Sequence, residues 1–555
     1  MYKYGATPSP GLPRARGYPG SGVAPNKMKN KFLYISIFFI FFIPRIIGLG
    51  SDIANYDSSF WYPRMDNFSK YILRGEYKKT YQQYHPGVVL LWTSGTSKYL
   101  FEKTFEAVFD YNPRFMPHQF TRLHFVAKFP LVFLISILGL IQFYFVAKMS
   151  NKKFAVIFAT ILSLEPFFLG TSRFLHLSAL TSMFMFTSFL SMYYHFHTNS
   201  KNKKFFYLSA ILLGLGALTK IDAIIAGPVN ALLILFFEYK RKTKLFEMVK
   251  LGLIYALLTS FTFYILFPSM WVEPIWTLNK IFGDGIQDTA FSSSGADTIT
   301  GLKFMFYPET IFFRSLPTFF FGLIGGLFIL ISNLKKKSLK INKSFLVWIL
   351  FFIVFNIVIL SIPDKIKDRY LINLYPPLSV IVALFVYYAV ESKKKLYKYF
   401  VVGIFSFFYI LTAYKYHPVY SYYYTELVGG PGGIEKLGLP IKNRGEFYAQ
   451  AALYINKTDS NPEVRNVILS HREQIRTFPP FFLGETFTNP GLMKEGYFAD
   501  YIVTRPDYDR LVTDSELKNM CKLVKQFGPK NPLGYNTLNL YKCEGVTNEY
   551  KNFRN

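Results

Sequence analysis

The chain has 555 residues, of which 51% are hydrophobic, 19% are aromatic and only 17% are charged. This composition excludes an ordinary soluble globular protein and indicates a membrane protein. The formal net charge of +29 would suggest nucleic-acid binding in a soluble protein. Here much of the positive charge lies in short loops between apolar segments, where lysine sets topology and contacts anionic headgroups. Membrane lipids, and no nucleic acid, are therefore the expected partners.

Long apolar segments dominate residues 28–415, after a leader at 1–27 that is rich in glycine, proline and alanine and typical of disorder. Most segments reach the roughly 17–25 residues that cross a bilayer. The sequence therefore predicts an α-helical polytopic membrane domain with about 11 transmembrane helices. The segments run at 32–49, 124–147, 154–170, 174–196, 205–219, 222–238, 250–268, 315–333, 343–362, 370–391 and 398–415.

Lysine clusters occupy every second gap between the apolar segments. Short basic loops are retained in the cytoplasm, so these gaps mark one side of the membrane and the other gaps mark the opposite side. An odd number of crossings then places the N-terminus in the cytoplasm and everything after about residue 415 outside the plasma or inner membrane. The clusters lie at 27–31, 148–153, 201–204, 240–244, 335–343 and 393–398.

Two of the predicted outer loops, 50–123 and 269–314, are too long to be simple connectors. In the first loop, apolar residues at 60–72 recur at helical spacing beside charged ones, which is typical of an interfacial amphipathic helix, and 88–100 predicts a second helix. In the second loop, glycine, serine, aspartate and threonine at 292–300 are typical of a mobile segment that covers a site.

Residues 416–555 change character, and the sequence predicts a small extracytoplasmic α/β domain there. Short apolar stretches predict strands, and longer mixed stretches predict helices. The predicted strands lie at 467–469, 501–503 and 537–541, and the predicted helices at 447–455 and 515–523.

Both cysteines, Cys521 and Cys543, lie in this outer domain. The outer compartment permits a disulfide, and the glycines and prolines between the two residues can turn the chain back. We predict a bridge that ties the last helix to the closing strand. Two unpaired thiols are the alternative.

Charged side chains gather at the predicted outer ends of the helices. Each costs about 2.5–3.5 kcal/mol to insert near hydrocarbon unless a cavity or a partner receives it. Any single one is explained by snorkelling, but the whole set indicates a polar cavity suited to a lipid with an anionic head, in which Asp57 is a candidate base and the cations stabilise a departing phosphate. The set comprises Arg45, Asp57, His85, Glu165, Arg173, His176, Lys220, Asp222, Arg314, Lys365, Lys367, Asp368 and Arg369.

Metal and nucleotide signatures are weak in this sequence. His85 and His176 lack the spacing of metal ligands, so no metal site is predicted, and the sequence leaves a divalent metal requirement open. A glycine loop before a lysine, as needed to hold nucleotide phosphates, is also missing from the sequence. No cofactor is expected beyond a lipid-linked donor.

Several motifs carry a family resemblance that spans about residues 32–456. In the first outer loop they are Asp57-Ser58-Ser59-Phe60-Trp61-Tyr62-Pro63-Arg64, Arg74-Gly75-Glu76 and His85-Pro86-Gly87-Val88. Further along they are Ser172-Arg173, Leu218-Thr219-Lys220, Pro268-Ser269-Met270-Trp271, Asp368-Arg369-Tyr370, His417-Pro418, Gly445-Glu446 and Ala451-Ala452-Leu453-Tyr454-Ile455-Asn456. Their order and sidedness resemble the GT-C glycosyltransferases, in the branch of protein O-mannosyltransferases and aminoarabinose transferases.

The resemblance implies a membrane enzyme that transfers a hexose or pentose from a polyprenyl-phosphate donor to a hydroxyl of a protein, lipid or glycan, with inversion. It also implies that Asp57 is the general base. We expect the donor phosphate to contact Lys220, Lys365 and Arg369, with Arg173 as a fourth cation. The full set of expected substrate-binding residues is Arg64, His85, Arg173, His176, Lys220, Trp271, Lys365, Arg369 and Tyr370.

Two positions depart from the family pattern. Ser58 follows Asp57 where the family usually has Glu, and Ser178 lies where relatives often carry an acid after the Ser-Arg pair. A missing acid indicates a different acceptor or a weakened enzyme. The rival hypothesis is a transporter or flippase of lipid-linked sugars, which would place polar groups and broken helices near the membrane midplane and show internal repeats. A noncatalytic scaffold that binds a glycan is a third interpretation.

Overall fold

The computed structural model describes residues 25–113, 116–198, 202–290, 298–333, 340–439, 441, 444–470, 476–487, 499–513, 517–529 and 537–544. The predicted leader lies almost wholly outside these residues. In chain order, the main helices are α1 (Pro25–Ile46), α2 (Ser58–Leu73), α3 (Thr96–Phe109), α4 (Phe120–Met149), α5 (Lys152–Leu164), α6 (Pro166–Thr171), α7 (Ser178–His197), α8 (Lys204–Thr219), α9 (Ala226–Lys240), α10 (Leu245–Leu266), α11 (Pro268–Val272), α12 (Pro274–Ala290), α13 (Phe306–Arg314), α14 (Pro317–Ser332), α15 (Lys343–Ser361), α16 (Tyr375–Val390), α17 (Lys395–Tyr416) and α18 (Tyr448–Thr458).

Every predicted apolar segment overlaps one of these helices or two consecutive ones. Among the described residues, six helical stretches are long and apolar enough to cross a membrane, and α8 and α14 are shorter apolar helices. A polytopic α-helical membrane protein is therefore confirmed, while the number of eleven crossings stays a prediction. The six stretches are Phe120–Met149, Ile221–Lys240, Leu245–Leu266, Lys343–Ser361, Asp368–Val390 and Lys395–Tyr416.

Three of the predicted segments are irregular at the ends that carry charge. The segment 154–170 breaks between α5 and α6, because Pro166 has no N–H and disfavours helical geometry at Glu165. A 3₁₀ turn, Ile221–Ile225, precedes α9, and another, Asp368–Leu374, precedes α16. The charged residues Lys220 and Asp222 lie at the first of these turns, and Asp368 and Arg369 lie at the second.

The first outer loop is folded against the helical bundle. The predicted amphipathic helix is confirmed as α2, which buries Trp61, Met65 and Phe68. The second predicted helix is also confirmed, since a helical turn and a π turn over 88–95 lead directly into α3. At Gly87, with a φ of 62°, the amide donates to the carbonyl of Thr219, which fastens the loop to the end of α8.

The second outer loop is largely helical where the structure describes it. Helix α12 packs on the first loop, where the hydroxyl of Tyr81 donates to Asp284 at 3.2 Å and the Tyr81 ring meets Trp276 edge-on. Of the segment predicted to be mobile, residues 292–297 lie outside the described part of the chain.

The outer domain is built on a sheet that has five strands within the described residues, in the order β2-β1-β3-β5-β4. Strand β1 is parallel to β2 and β3, whereas β5 is antiparallel to β3 and β4. The strands are β1 (Asn466–Leu469), β2 (Glu485–Phe487), β3 (Tyr501–Thr504), β4 (Cys521–Phe527) and β5 (Leu538–Cys543).

The three predicted strands are confirmed as β1, β3 and β5, and the helix predicted at 447–455 is confirmed as α18. The helix predicted at 515–523 is present as the short helix Leu517–Met520 and is wrong at 521–523, because strand β4 begins at Cys521. Strand β4 lies at the edge of the sheet and exposes consecutive side chains, so it lacks the apolar alternation that identifies a half-buried strand.

The predicted disulfide between Cys521 and Cys543 is confirmed, with a Cα–Cα distance of 4.0 Å. The two residues face each other in the register of β4 and β5. The bridge therefore joins strand to strand, rather than helix to strand as predicted.

Replacing Cys521 by serine is expected to lower the melting temperature of the protein, because a loop of this size contributes roughly 3 kcal/mol by restricting the unfolded chain. Differential scanning calorimetry of the purified protein in detergent measures the shift in melting temperature. Cys543→Ser breaks the same bond and should give the same shift, and neither change should alter chemistry at the membrane site. Two cysteines that react freely with an alkylating agent, in protein denatured without reductant, would contradict this prediction.

Candidate active site

Asp57 lies immediately before α2, where the chain enters the first outer helix. Its Oδ2 atom accepts a hydrogen bond from Nη1 of Arg369 at 2.5 Å and lies 3.4 Å from Nε2 of His176. Arg369 comes from the 3₁₀ turn before α16, and His176 from the segment between α6 and α7. Three distant parts of the sequence therefore meet at this carboxylate, whose side chain is 34% exposed.

The carboxylate of Asp57 is held as an anion. Burial raises its pKa, but His176 and the positive charges around it lower the pKa by more. The net pKa therefore lies below the ordinary aspartate value. The charges that act on it come from Arg369, Arg444 and Lys367. Its side chain does not cap α2 and is partly exposed, so a substrate can reach it.

His176 has a defined tautomer. The amide of Ser178 donates to Nδ1 of His176 at 3.2 Å, which makes Nδ1 an acceptor. A neutral ring then carries its proton on Nε2, the atom that faces Asp57. His176 therefore orients the carboxylate without adding a full charge.

Lys220 and Asp222 form a second ion pair at this end of the bundle. The ammonium group of Lys220 also lies 4.4 Å from the centre of the Tyr370 ring. Because Tyr370 directly follows Arg369, this cation–π contact joins the Lys220 pair to the pair formed by Arg369 and Asp57.

A third ion pair joins Lys365 to Asp288, a residue of α12. The hydroxyl of Tyr84 donates to the same carboxylate oxygen of Asp288. Burial raises the pKa of Asp288, but the hydrogen bonds from Lys365 and Tyr84 lower it by more. The net pKa is below the ordinary aspartate value, so this side chain is also an anion. Helix α12 thus closes over the first loop and over the charged site.

His85 fills the space between these pairs. Its ring lies 4.2 Å from that of Tyr84, measured between centroids, and its Nδ1 is buried with no hydrogen-bond partner among the described residues. Burial, together with the charges of Lys220 and Arg369, lowers the pKa of His85 to about 3. A neutral imidazole with a vacant nitrogen is suited to a hydroxyl of a substrate.

Two cations of the site have no carboxylate within 4.0 Å among the described residues. Arg64 stacks on the ring of Trp61, with its guanidinium carbon 4.8 Å from the ring centre. Lys367 lies between Lys365 and Arg369 in sequence, and burial and those two charges lower its pKa to about 8. Both are therefore free to receive an anion.

Arg173 lies elsewhere, contrary to its predicted role as a donor-binding cation. Its Nε donates to Asp52 at 3.0 Å, and its Nη1 donates to carbonyls at the end of α1, including that of Ile47 at 2.9 Å. Asp52 also accepts from Lys128 at 2.6 Å. Arg173 therefore satisfies the terminal carbonyls of α1 and has a structural role.

Trp271 also lies outside the group of ion pairs. Its indole N–H donates to the carbonyl of Tyr264 at 3.0 Å, and its ring meets Tyr77 at 5.3 Å between centroids. The residue is 41% exposed. It packs the second outer loop against the first through Tyr77.

The predicted set of substrate-binding residues omitted Lys367, Asp288 and Arg444, and the sequence contained a signal for the first two. Lys365, Lys367 and Arg369 alternate, as side chains on one face of an extended segment do, so Lys367 belongs with its neighbours. Asp288 lies four residues after Asp284, on the same face of α12. Arg444 of the outer domain, which contacts Asp368, gave no signal beyond its place in an Arg-Gly-Glu run.

The fold and the site together define a polytopic membrane protein whose helices carry a cluster of carboxylate–cation pairs at one end. In the described part of the chain, three or more histidine, cysteine or carboxylate side chains do not converge as they would around a metal ion. The sequence profile of the family described as dolichyl-phosphate-mannose-protein mannosyltransferase matches residues 118–266. This match confirms the resemblance to that kind of glycosyltransferase over those residues. No curated protein sequence matches the chain.

Two solved structures are similar to the chain at low sequence identity. ArnT from Cupriavidus metallidurans, bound to undecaprenyl phosphate, has a TM-score of 0.46 and 11% identity, and the match covers 93% of this chain and 98% of ArnT. The archaeal oligosaccharyltransferase AglB from Archaeoglobus fulgidus, in complex with an inhibitory peptide and a dolichol-phosphate, has a TM-score of 0.45 and 11% identity, over 92% of this chain and 74% of that chain.

Proposed function

We propose that this protein is a membrane glycosyltransferase that moves a sugar from a polyprenyl-phosphate donor to a hydroxyl acceptor with inversion. The observation that carries the proposal is the anionic Asp57, held by Arg369 and His176 in a site rich in further cations. The family match over residues 118–266 supports it independently. The sugar is a hexose or pentose, and the acceptor hydroxyl belongs to a protein, lipid or glycan.

The reaction is a single displacement. The acceptor oxygen forms a bond to C1 of the sugar while the bond between C1 and the phosphate oxygen breaks, and the acceptor proton passes to Asp57. The polyprenyl phosphate leaves with the bonding electrons. Its growing charge is stabilised by Lys220, Lys365, Lys367 and Arg369, and stabilisation of this kind is usually the largest single contribution to catalysis.

Ion-pair exchange prepares the base in this mechanism. Before donor binding, Asp57, Asp222 and Asp288 each neutralise one cation. A donor phosphate competes with Asp57 for Arg369, and Asp57 then loses the partner that lowers its pKa. Its pKa rises toward the range in which a carboxylate is an effective base. Arg64 and Lys367, which have no carboxylate partner among the described residues, provide the first contacts for the phosphate.

Neutral groups complete the substrate site. The vacant Nδ1 of His85 receives a sugar hydroxyl, and Tyr370 forms a wall beside Lys220. The missing acids at Ser58 and Ser178 leave Asp57 as the base at this position.

A transporter or flippase is the less favoured function. Transporters place their substrate sites near the membrane midplane, between inverted repeats. The described charge pairs gather instead at the end of the helical bundle, under the two outer loops.

We propose the topology that the lysine clusters indicate: the N-terminus in the cytoplasm, a membrane domain at 28–415 with outer loops at 50–123 and 269–314, and an extracytoplasmic domain at 416–555. An alkaline-phosphatase fusion at about residue 420 is expected to be active, because phosphatase folds only outside and basic loops stay inside. The same fusion at about residue 242, within a lysine cluster, is the inactive control. The reverse pattern would contradict the topology and the outward-facing site with it.

Mass spectrometry of envelope glycans and lipid-linked sugars tests the function. Cells without the protein should accumulate a polyprenyl-phosphate sugar and lack that sugar on one envelope acceptor. Complementation with the wild type should restore the acceptor, and complementation with Asp57→Asn should not. Lipid-linked sugars and acceptors that are identical with and without the protein would overturn the proposal.

A further inference from the structure

The outer domain reaches into the candidate site through Arg444, Gly445 and Glu446. The amide of Tyr56, which precedes Asp57, donates to the carbonyl of Arg444 at 3.2 Å. At Gly445, φ is +103°, and a Cβ there would lie 2.8 Å from the carbonyl oxygen of Ala54. Only glycine allows so close an approach of the two backbones.

Neighbouring contacts fasten the same segment from both sides. Glu446 is fully buried and accepts a hydrogen bond from the hydroxyl of Ser421 at 3.0 Å. Gln450, at the start of α18, donates to the carbonyl of Asp52 at 2.7 Å. The segment that leads to Asp57, residues 52–56, is therefore held by the outer domain along its length.

The side chain of Arg444 binds Asp368, the residue next to Arg369. Its Nη2 donates to Oδ1 of Asp368, and Nη2 of Arg314 donates to Oδ2 of Asp368 at 2.9 Å. Each oxygen of Asp368 is thus held by an arginine. Asp368 directly precedes Arg369, the residue that binds Asp57.

Arg444 consequently spans the pair: its carbonyl holds the residue before Asp57, and its guanidinium holds the residue before Arg369. The side chain of Arg444 is only 16% exposed. We propose that Arg444 is a positioning residue that aligns Asp57 with Arg369, so that the outer domain completes the transfer site. This inference rests on the proposed function and deepens it.

The charge of Arg444 adds a second effect. It is one of the cations that lower the pKa of Asp57. Removing that charge raises the pKa of the base, and a base must be deprotonated to act. The acid limb of the profile of kcat/KM against pH must then move to higher pH.

The test compares Arg444→Gln with Arg444→Lys. Arg444→Gln is expected to lower kcat/KM by roughly 10- to 100-fold, the size of a misplacement of about 1 Å, and to move the acid limb to higher pH. Arg444→Lys keeps the charge but not the planar guanidinium, so the limb should stay near its wild-type position while the rate is restored only in part. The measurement is transfer from a synthetic polyprenyl-phosphate sugar by the full-length protein in detergent.

Arg465→Gln is the matched control. Arg465 is also an outer-domain arginine, and it pairs with Asp459 and Asp500 at 3.0 and 3.1 Å, within that domain. Its loss is expected to lower the melting temperature while leaving the pH profile in place. An Arg444→Gln protein with the wild-type pH profile and rate would overturn the positioning role, even if Asp57→Asn is inactive and the proposed function stands.

Amide hydrogen exchange, measured by mass spectrometry, tests the proposal without an activity assay. Peptides that cover Tyr56 and Asp57 are expected to exchange faster in Arg444→Gln than in the wild type, and to be unchanged in Arg465→Gln. Unchanged exchange in Arg444→Gln would overturn the proposal. A wild-type protein that shows no transfer, but in which Arg444→Gln loosens this segment, would instead refute the proposed function and keep Arg444 as the residue that joins the two domains.

Discussion

Replacing Asp57 by asparagine is expected to lower the rate of sugar transfer by roughly 10²–10⁴-fold, the contribution of a general base. Asparagine keeps the shape of the side chain and its contact with His176, but it cannot accept the acceptor proton. The measurement is kcat with a polyprenyl-phosphate sugar and a hydroxyl acceptor, in protein whose melting temperature shows that it is folded.

Asp66→Asn is the control for this substitution. Asp66 lies on the same helix, and its carboxylate pairs with Lys98, away from Arg369. This change is expected to reduce stability and leave the rate largely intact. Near-normal turnover by a folded Asp57→Asn protein would rule out Asp57 as the base.

The pH dependence of the wild type follows from the charges around Asp57. Burial raises the pKa of Asp57, but His176, Arg369, Arg444 and Lys367 lower it by more, so the net pKa is lowered. The base is active when deprotonated, so activity is lost as pH falls through this lowered pKa. The acid limb of kcat/KM, which reports the free enzyme, should therefore lie below the ordinary aspartate range of about 3.9.

Replacing Arg369 by alanine is expected to cost roughly 10²–10³ in kcat, the size found when one stabilising donor is removed from a developing anion. The variant loses a cation for the departing phosphate and leaves Asp57 without its closest partner. Arg369→Lys keeps the charge but loses the planar fork, so its rate should lie between those of the wild type and the alanine variant.

Two measurements separate the roles of Arg369. Loss of the phosphate contact should raise the KM for the donor, and loss of the pair with Asp57 should move the acid limb to higher pH. Lys78→Ala is the control, since Lys78 is an exposed cation of the first loop that pairs with Glu273. Equal KM, kcat and pH profile in Arg369→Ala and the wild type would show that Arg369 has only a structural role.

The sequence predicted those elements whose structure depends on residues close together in the chain. Apolar segments, lysine clusters and the amphipathic spacing of α2 depend on residues near each other in the chain, so composition and periodicity are sufficient to identify them. The strand β4 was missed because its stability comes from pairing with β5 and from the bond between Cys521 and Cys543, rather than from its own pattern.

The candidate site was predicted in part for a similar reason. Asp57, Lys220, Lys365 and Arg369 were expected to share one end of the bundle, because each follows an apolar helix on the same predicted side. The partners of these residues were not predictable, since an ion pair between Asp57 and Arg369 joins residues 312 positions apart.

The sequence by itself determined that this is a helical membrane protein with charged residues gathered at helix ends. Inserting charge into hydrocarbon is costly, so long apolar segments with charges only at their ends are visible in the sequence. Only the tertiary structure decided which charge meets which. It assigned Arg173 to Asp52 and the end of α1, and it brought Asp288 and Arg444 into the site. Coulomb energy depends on distance in space, and distance in space is set by how the helices and the outer domain pack.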